Sequence, residues 1–254
     1  MKNNELLSVA VDAAEKAGKL LRKGLGTSFQ ISKKSGKHNL VTEYDHASEK
    51  IIIETILKAF PSHGILAEES GPSKTGEILW IIDPLDGTVN FAHGIPVFSV
   101  SIAATRGEEI LCGVVYQPIT EELFTAEKGK GAFFNGQKMQ VTDTTDINAA
   151  FLATGFPYNV DQNPLHCIDT FSNMTKKGIP IRRLGSAAID LAYVAAGRFD
   201  AYWEVSLEPW DLAGGKLLVE EAGGKVTDYE GRPRSLRERG PILATNGRLK
   251  LELV

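Results

Sequence analysis

The stretch from residue 80 to residue 91, Trp-Ile-Ile-Asp-Pro-Leu-Asp-Gly-Thr-Val-Asn-Phe, constrains the fold more than any other part of the chain. The apolar run Ile78–Ile82 predicts a buried strand. Pro84 fixes its own backbone and pushes the residue before it into an extended conformation. Asp83 should therefore end the strand, while Asp86 should lie on the turn beyond it.

In that arrangement, Asp83, Asp86 and the Leu85 carbonyl converge on one small volume. Two carboxylates held so close repel each other unless a cation neutralises them. The backbone amides of Gly87 and Thr88, at the start of a short helix, would offer an anion site beside the cation. The alternative is ordinary turn chemistry, because Asp-Pro and Asp-Gly are both common in turns. The whole pattern favours a hard metal ion beside a phosphate pocket.

Further acidic residues are candidates for the same site. Glu68 and Glu69 follow a predicted strand, Ile65–Ala67, and they are solvated if that strand stands alone. If the strand lies in the same sheet, Glu68 can bridge to the Asp83 site as a third ligand of a magnesium-type ion. Asp211 begins a predicted helix, where a carboxylate stabilises the helix by about 1 kcal/mol. The same carboxylate can also bind a metal.

Two other residues have weaker signals. Lys34 lies in a basic loop, and such loops are usually just solvated. Asp45 follows the predicted helix cap Thr42 and complements the helix dipole in the simplest interpretation.

The five histidines do not form the HExxH pattern of a zinc site. Four arginines near the C-terminus are predicted to lie on a solvated loop, with RNA or a protein partner as the alternative; they are Arg232, Arg234, Arg237 and Arg239.

The net charge of −4 argues against wholesale binding to DNA or RNA. With only two cysteines, far apart in sequence, the chain has neither a disulfide framework nor a CxxC metal site. No apolar stretch approaches the length that spans a bilayer, and the N-terminus leads into an amphipathic helix rather than a signal peptide. These features predict a cytoplasmic protein that binds neither nucleic acid nor membrane.

Helical and strand-like patterns alternate along the chain, with an antiparallel meander over 97–126, and predict a layered α+β architecture. We expect one compact unit with two halves. An N-terminal α+β half, 1–140, would carry most of the metal ligands. A C-terminal α/β half, 141–254, would carry Asp211 and the residues of the substrate rim. Helices are predicted over 4–24, 42–60, 161–177, 185–196 and 211–222.

With these pieces in place, the chain resembles the inositol monophosphatase family of magnesium-dependent, lithium-sensitive phosphatases over essentially its whole length. Two segments carry the resemblance: Trp80–Phe91, and Glu208–Gly215 leading to Glu221–Gly224. The resemblance implies a five-layered α-β-α-β-α sandwich of the inositol monophosphatase/fructose-1,6-bisphosphatase type. It also implies a homodimer and two or three Mg²⁺ ions in each active site.

The resemblance further implies roles for individual residues. The first Mg²⁺ would be held by Glu68, Asp83 and the Leu85 carbonyl. The second would be held by Asp83, Asp86 and Asp211, and a third would bind loosely through Glu68 and water.

The same resemblance pairs Thr88 with Asp45 to orient the attacking water, and Lys34 and Glu68 complete the catalytic set. Glu208 stands where animal members often carry a histidine, which makes this rim more acidic. The implied substrate-binding residues are Asp86, Gly87, Thr88, Gly185, Ser186, Ala187 and Glu204.

The expected function is Mg²⁺-dependent hydrolysis of a small phosphate monoester by metal-activated water, with myo-inositol 1-phosphate as the favoured substrate. Fructose-1,6-bisphosphatase, histidinol-phosphatase and 3′-phosphonucleotide phosphatase activities share the metal site and remain alternatives. A non-enzymatic alternative is a regulatory partner of the transcription machinery.

Overall fold

Helices and sheets stack in the order α-β-α-β-α in the computed structural model, which describes residues 3–33 and 40–253. The predicted five-layered α+β sandwich is therefore confirmed. Helices α1 (Asn3–Gly24) and α2 (Glu43–Ala59) form the first layer. The α2 helix begins after Thr42, whose hydroxyl accepts the Tyr44 amide at 3.1 Å, as the sequence predicted for a helix cap.

The second layer is an eight-stranded sheet in the order β10-β9-β8-β7-β6-β5-β3-β4. Within it, β3 and β5 pair in parallel, and the other neighbours are antiparallel. A two-stranded sheet of β1 (Ile31–Lys33) and β2 (Leu40–Thr42) precedes α2. The strands of the large sheet are β3 (Gly64–Ala67), β4 (Gly71–Lys74), β5 (Leu79–Asp86), β6 (Ser99–Arg106), β7 (Glu109–Gln117), β8 (Glu122–Glu127), β9 (Gly131–Phe134) and β10 (Gln137–Met139).

Short helix α3 (Thr88–Ala92) follows β5. Two further helices, α5 and α6, lie between the large sheet and a five-stranded sheet in the order β12-β11-β13-β15-β14, and α4 covers the outer face of that second sheet. These helices are α4 (Cys167–Lys176), α5 (Ala187–Ala195) and α6 (Pro209–Glu221). The strands are β11 (Leu152–Thr154), β12 (Ile181–Arg182), β13 (Ala201–Leu207), β14 (Lys225–Thr227) and β15 (Gly240–Thr245).

Glycines let α6 approach the large sheet backbone to backbone. A methyl group on Gly113 of β7 would lie 2.9 Å from the Gly214 carbonyl oxygen, and one on Gly214 would lie 2.8 Å from Ser101 Oγ. On the other side of α6, a methyl group on Gly215 would lie 2.5 Å from Leu191 Cβ of α5. Because side chains would hold these elements apart, the glycines bring the start of α6, with Asp211, close to the sheet.

Two of the three buried clusters in the described residues lie on opposite faces of the large sheet. Trp80 and Ile82 point from β5 toward α1 and α2, while Ile81 points the other way, toward α5 and α6. This alternation is what a strand covered on both faces requires. Full burial of each large apolar side chain contributes roughly 1.5–3 kcal/mol.

The predicted helix over 161–177 is wrong in its first third. Helix α4 begins only at Cys167, and two short 3₁₀ turns, Val160–Gln162 and Pro164–His166, precede it. Asn163, Leu165 and His166 have positive φ angles, which an α-helix cannot contain. The positive φ angles of these three residues therefore prevent an α-helix before Cys167.

The large sheet ends at Met139, and the strands of the second sheet begin at Leu152. The division into halves at residue 140 stays a prediction. Among the described helices, none combines the length and apolarity needed to cross a lipid bilayer.

Candidate active site

The two aspartates of the 80–91 stretch lie on either side of an irregularity in β5. Asp83 pairs with Ser101 and Asp86 pairs with Ser99, so three steps along β5 match two steps along β6. Residues three apart in a regular strand point to opposite faces, and the extra residue restores both aspartates to the same face. That face packs against α6, since Ser101 Oγ lies 3.5 Å from the Trp210 carbonyl oxygen.

The prediction that Asp86 lies on a turn beyond the strand is wrong. Strand β5 continues to Asp86, because its pairing with β6 resumes after the bulge. The parallel pairing of β3 with β5 brings Glu68 alongside, and the Glu68 amide donates to the Ile82 carbonyl at 3.1 Å. Glu68 therefore lies directly beside the end of β5, as expected if both strands share one sheet.

The ends of β3 and β5, the starts of α5 and α6, and β13 surround a cleft of about 1040 Å³. Asp45 does not line this cleft itself but contacts Thr88, which does. Lys34 lies outside the described residues. Each of the other residues expected at the site lines the cleft: Glu68, Asp83, Leu85, Asp86, Gly87, Thr88, Gly185, Ser186, Ala187, Glu204 and Asp211.

The acidic side chains in the cleft interact strongly with one another. Burial raises the pKa of Asp83 well above its usual range, and the charges of Glu68, Asp86 and Asp211 raise it further. Burial likewise raises the pKa of Asp211 well above its usual range, with Glu68 and Asp86 adding to the effect. Burial also raises the pKa of Asp86, against the opposing effect of its hydrogen bonds. These carboxylates are therefore costly to keep ionised without a neutralising cation.

The donor chemistry fits a hard divalent cation such as Mg²⁺, because the acids supply only oxygen ligands. Within residues 3–33 and 40–253, however, no group of three or more His, Cys, Asp or Glu side chains already has the arrangement of a metal site. The cleft thus gathers oxygen donors whose chemistry suits such a cation.

Helix α2 supplies three buried polar side chains on one face, at positions 45, 48 and 49. Ser48 Oγ donates to the Pro84 carbonyl at 2.7 Å, which holds the bulged end of β5. Glu49 Oε2 accepts the Glu69 amide at 2.8 Å, which holds the turn after β3. Sequence reasoning missed Ser48 and Glu49, although polar residues at helical spacing on a face otherwise rich in isoleucine were a usable signal.

Asp45, the third of these residues, joins α2 to α3. Its Oδ2 accepts the Thr42 amide at 2.8 Å and the Thr42 hydroxyl at 2.6 Å. Its Oδ1 lies 2.9 Å from Thr88 Oγ1, which is also 3.0 Å from the Leu85 carbonyl oxygen. The Thr88 hydroxyl therefore has two acceptors within reach of its single proton, one on α2 and one on β5.

Asp86 ties β5 to the start of α5. Its Oδ2 accepts the Ala188 amide at 2.8 Å and the Ser186 hydroxyl, and its Oδ1 accepts the Ala187 amide at 3.3 Å. A carboxylate at the first turn of a helix satisfies amides that have no partner within the helix. The Gly185–Ala187 segment is held beside the acids in this way.

Gly87 has a φ of +97°, and a methyl group there would lie 3.1 Å from the Val97 carbonyl oxygen. Only glycine adopts this backbone conformation without strain in so little space. The glycine of the Asp-Gly-Thr sequence thus has a structural role beside any role in binding phosphate.

Asp211 serves the start of α6 as well as the cleft. Its Oδ2 accepts the Glu208 amide at 2.8 Å, which completes a capping box. Asp211 therefore both caps the start of α6 and lines the cleft.

At the far side of the cleft, Tyr202 and Glu204 lie on the same face of β13. The Tyr202 hydroxyl donates to Glu204 Oε2 at 2.5 Å. Burial raises the pKa of Glu204 to about 7, despite the lowering effect of this hydrogen bond. A methyl group on Gly155 would overlap the Glu204 carboxylate, so glycine at this position leaves room for that side chain.

The prediction of a solvated arginine loop is wrong for Arg234 and holds for Arg239, whose side chain is 53% exposed. Arg234 is only 6% exposed and donates to the Ser235 carbonyl at 2.7 Å. Arg239 lines the cleft, donates to Ser206 Oγ and lies 3.7 Å from Glu208 Oε1. The segment folds back against the end of β13, so Arg239 offsets the acidity that Glu208 brings to the rim.

The fold and the cleft agree with the comparisons to known proteins. The sequence matches the inositol monophosphatase family over residues 2–254, and the chain belongs to this family. The resemblance seen in the sequence is thereby confirmed, and family membership supports a phosphatase.

Individual relatives carry two kinds of name. The chain is 43% identical over 247 residues to the Nus factor SuhB of Escherichia coli (strain K12), covering 96% of this chain and 92% of the relative. It is 44% identical over 250 residues to the inositol-1-monophosphatase of Rhizobium meliloti (strain 1021), covering 97% and 93%. The crystal structure of extragenic suppressor protein suhB from Bartonella henselae superposes with a TM-score of 0.90 at 43% identity, covering 96% of this chain and 95% of that one.

Proposed function

We propose that this protein hydrolyses a small phosphate monoester with Mg²⁺, and that myo-inositol 1-phosphate is its favoured substrate. The observation that carries the proposal is the gathering of Glu68, Asp83, Asp86 and Asp211 in one cleft, beside a Thr88 hydroxyl held by a buried carboxylate. Family membership and the relative named inositol-1-monophosphatase support it.

In this proposal the metal ions are held by Glu68, Asp83, Asp86, Asp211 and the Leu85 carbonyl. When bound, Mg²⁺ supplies a Lewis acid that neutralises phosphate charge and makes water more acidic.

The chain itself orients the attacking water. Because Thr88 donates its proton to Asp45 or to the Leu85 carbonyl, its oxygen remains an acceptor toward the cleft. A water that donates to this oxygen has its lone pair free to attack phosphorus from a fixed direction. No covalent phosphoenzyme is required in this scheme. Lys34 is proposed to assist near the phosphate, as the family resemblance implies.

Substrate recognition is assigned to the opposite wall. The amides of Gly87 and Thr88 would contact the phosphate, and the Gly185–Ala187 segment and Glu204 would contact the hydroxyl groups of the alcohol. Glu204 is suited to this because a carboxyl group can accept hydrogen bonds from hydroxyls.

A panel of phosphate monoesters tests the proposal, with phosphate release measured with and without Mg²⁺ and Li⁺. Inositol 1-phosphate, fructose 1,6-bisphosphate, histidinol phosphate and a 3′-phosphonucleotide are compared, and Asp83→Asn is the inactive control. Mg²⁺-dependent release that is fastest from inositol 1-phosphate is expected, with inhibition by Li⁺. Preference for another ester would overturn the proposed substrate, and release from none of them would overturn the phosphatase.

A second candidate function is a regulatory partner of the transcription machinery. Several relatives at 42–43% identity are named Nus factor SuhB, which favours this alternative. The net charge of −4 argues against direct binding to RNA, so a protein contact is the form we propose.

A pull-down with RNA polymerase, run beside the phosphate-release assay, separates the two functions. The Asp83→Asn protein is used in both experiments. Retained polymerase binding without turnover would establish regulation independent of catalysis, and lack of binding by wild type would remove this candidate. Sedimentation of the same samples tests the homodimer that the family resemblance implies.

A further inference from the structure

One buried acid in the cleft has no role in the proposed reaction. Asp190 lies in α5 and is 1% exposed. Four buried side-chain polar atoms lack a hydrogen-bond partner in the described part of the chain: Asp190 Oδ1, Trp203 Nε1, Tyr229 Oη and Arg234 Nε. Asp190 is the one residue of these four that lines the cleft. A buried carboxylate oxygen without a partner is unfavourable unless a ligand supplies the missing hydrogen bond.

We infer that Asp190 is a substrate-specificity residue that, together with Glu204, binds adjacent hydroxyl groups of a neutral polyol. This inference rests on the proposed function and names the part of the cleft that distinguishes a polyol phosphate from other esters.

A purely structural role at the helix start does not account for Asp190. Its own amide already donates to the Ser186 carbonyl at 3.0 Å, so the residue lies inside the hydrogen-bonded part of α5. The free amides at the start of this helix are those of Ala187 and Ala188, and they donate to Asp86. The carboxylate of Asp190 therefore accepts no hydrogen bond from the amides at the start of α5.

Asp190 and Glu204 approach the same part of the cleft from two elements. Glu204 is held by the Tyr202 hydroxyl at 2.5 Å, and its charge acts on Asp190. Within the described residues, Asp190 Oδ1 has no hydrogen bond to Glu204 or to any other side chain. Two neighbouring hydroxyl groups of one ligand would be able to form hydrogen bonds with both acids.

The burial of Asp190 and the negative charges near it favour an uncharged ligand. Burial, followed by the charges of Glu204 and Asp86, raises the pKa of Asp190 well above its usual range. A neutral carboxylic acid both donates and accepts hydrogen bonds, which matches a hydroxyl group. A second phosphate in this place would meet two acids, although Arg183 and Arg239 also line the cleft.

The test compares inositol 1-phosphate with methyl phosphate, whose alcohol part has no further hydroxyl groups. Asp190→Leu keeps the branched shape of the side chain without hydrogen-bonding atoms, and Asp190→Asn keeps a donor and an acceptor. We expect Asp190→Leu to lower the ratio of kcat/KM for the two esters by about tenfold or more, mainly through KM, and Asp190→Asn to retain most of it. Asp12→Asn, an exposed acid on α1, is the matched control and should leave the ratio unchanged.

An equal loss on both esters would overturn the inference, because a structural defect affects them alike. Thermal unfolding of each variant shows whether it is folded. Myo-inositol itself gives a readout without turnover: it should raise the unfolding temperature of wild type but not of Asp190→Leu. If wild type hydrolyses neither ester, the proposed function fails, and the inositol experiment alone then decides the inference. Equal stabilisation of both proteins, or of neither, would reject it.

Discussion

The hydroxyl of Thr88 lies 2.9 Å from Oδ1 of Asp45, whose other oxygen accepts two hydrogen bonds from Thr42. Thr42, which caps α2, therefore holds the Asp45 carboxylate in place, and that carboxylate in turn holds the Thr88 hydroxyl. Because Asp45 and Thr88 are 43 residues apart, this pair links the first helical layer to the cleft.

Loss of the Thr88 hydroxyl should slow turnover more than it weakens substrate binding. Thr88→Val keeps the shape and removes the acceptor for the attacking water, so we expect kcat to fall on the order of 100-fold with a small change in KM. Thr88→Ser keeps the hydroxyl and should retain most of the activity. Steady-state kinetics on inositol 1-phosphate measure both. Similar rates for Thr88→Val and wild type would remove Thr88 from the mechanism.

Substitution of Asp86 should separate catalysis from stability. In Asp86→Asn, the remaining oxygen can still accept the Ala188 amide and the Ser186 hydroxyl, while the negative charge and the long hydrogen bond from the Ala187 amide are lost. We expect turnover to fall on the order of 100-fold or more, with little change in unfolding temperature. Asp86→Ala loses the acceptor as well and should cost about 1–3 kcal/mol. Calorimetry of Mg²⁺ binding completes the comparison, and unaltered metal affinity in Asp86→Asn would exclude Asp86 as a ligand.

The protonation of Glu204 should affect stability between pH 4.5 and 7. Burial raises its pKa from 4.5 to about 7, so in this range the folded state holds a proton that the unfolded state has released. The free energy of unfolding should therefore fall as the pH rises through this window. Glu204→Gln removes this dependence, and we expect it to be more stable than wild type at pH 8 but not at pH 4. Thermal unfolding in EDTA measures the difference, and parallel curves would contradict it.

His63 should make the protein less stable in mild acid. Its Nδ1 accepts the Trp80 Nε1 proton at 3.0 Å, the ring stacks on Phe60 at 4.6 Å, and burial lowers its pKa below the ordinary 6.5. The contribution of His63 is complete above pH 6.5 and is lost as the pH falls through the lowered pKa of the folded state.

We expect His63→Gln to lose that part of the pH dependence, since glutamine does not titrate. Denaturant unfolding at about pH 7.5 and about pH 5 compares the two proteins. The same loss of stability in both would show that other groups cause it.

A methyl group at position 214 should disturb the cleft from a distance. In Gly214→Ala the added carbon would lie 2.8 Å from Ser101 Oγ and 3.1 Å from the Val114 carbonyl oxygen. Helix α6 must then move away from the sheet, at a cost of about 1–3 kcal/mol, and Asp211 moves with it. Mg²⁺ affinity measured by calorimetry should fall. Adding Ser101→Ala relieves the closest contact and should restore part of both losses; no recovery would point to another cause.

Much of the site could be read from the sequence because its signals are local. The apolar run before Asp83 predicts a buried strand, although not its continuation to Asp86, and Thr42 marks the start of α2 through its own side chain. Both depend on dihedral preferences and hydrogen bonds within a few residues.

Other features gave no local signal. Asp190 reads as one acid in an apolar helix, and only the packing of α5 against β13 leaves it buried without a partner for its Oδ1 atom. Arg239 reads as part of a solvated loop, and only the folding of that loop against Ser206 brings its exposed side chain to the cleft. The sequence predicted that Asp83 and Asp86 converge through a turn, whereas in the structure a bulge in β5, set by the register of β6, places both on one face.

The sequence by itself determined which acids are candidates for the site, the layered α+β class and most helix starts, because residue type, periodicity and capping act over short distances. Only the tertiary structure decided that residues from β3, β5, α5, β13 and α6 face one cleft, and which described polar atoms are left without a partner there. Those properties arise from contacts between segments far apart in the chain, where strand register and the close approach of glycine backbones set the distances.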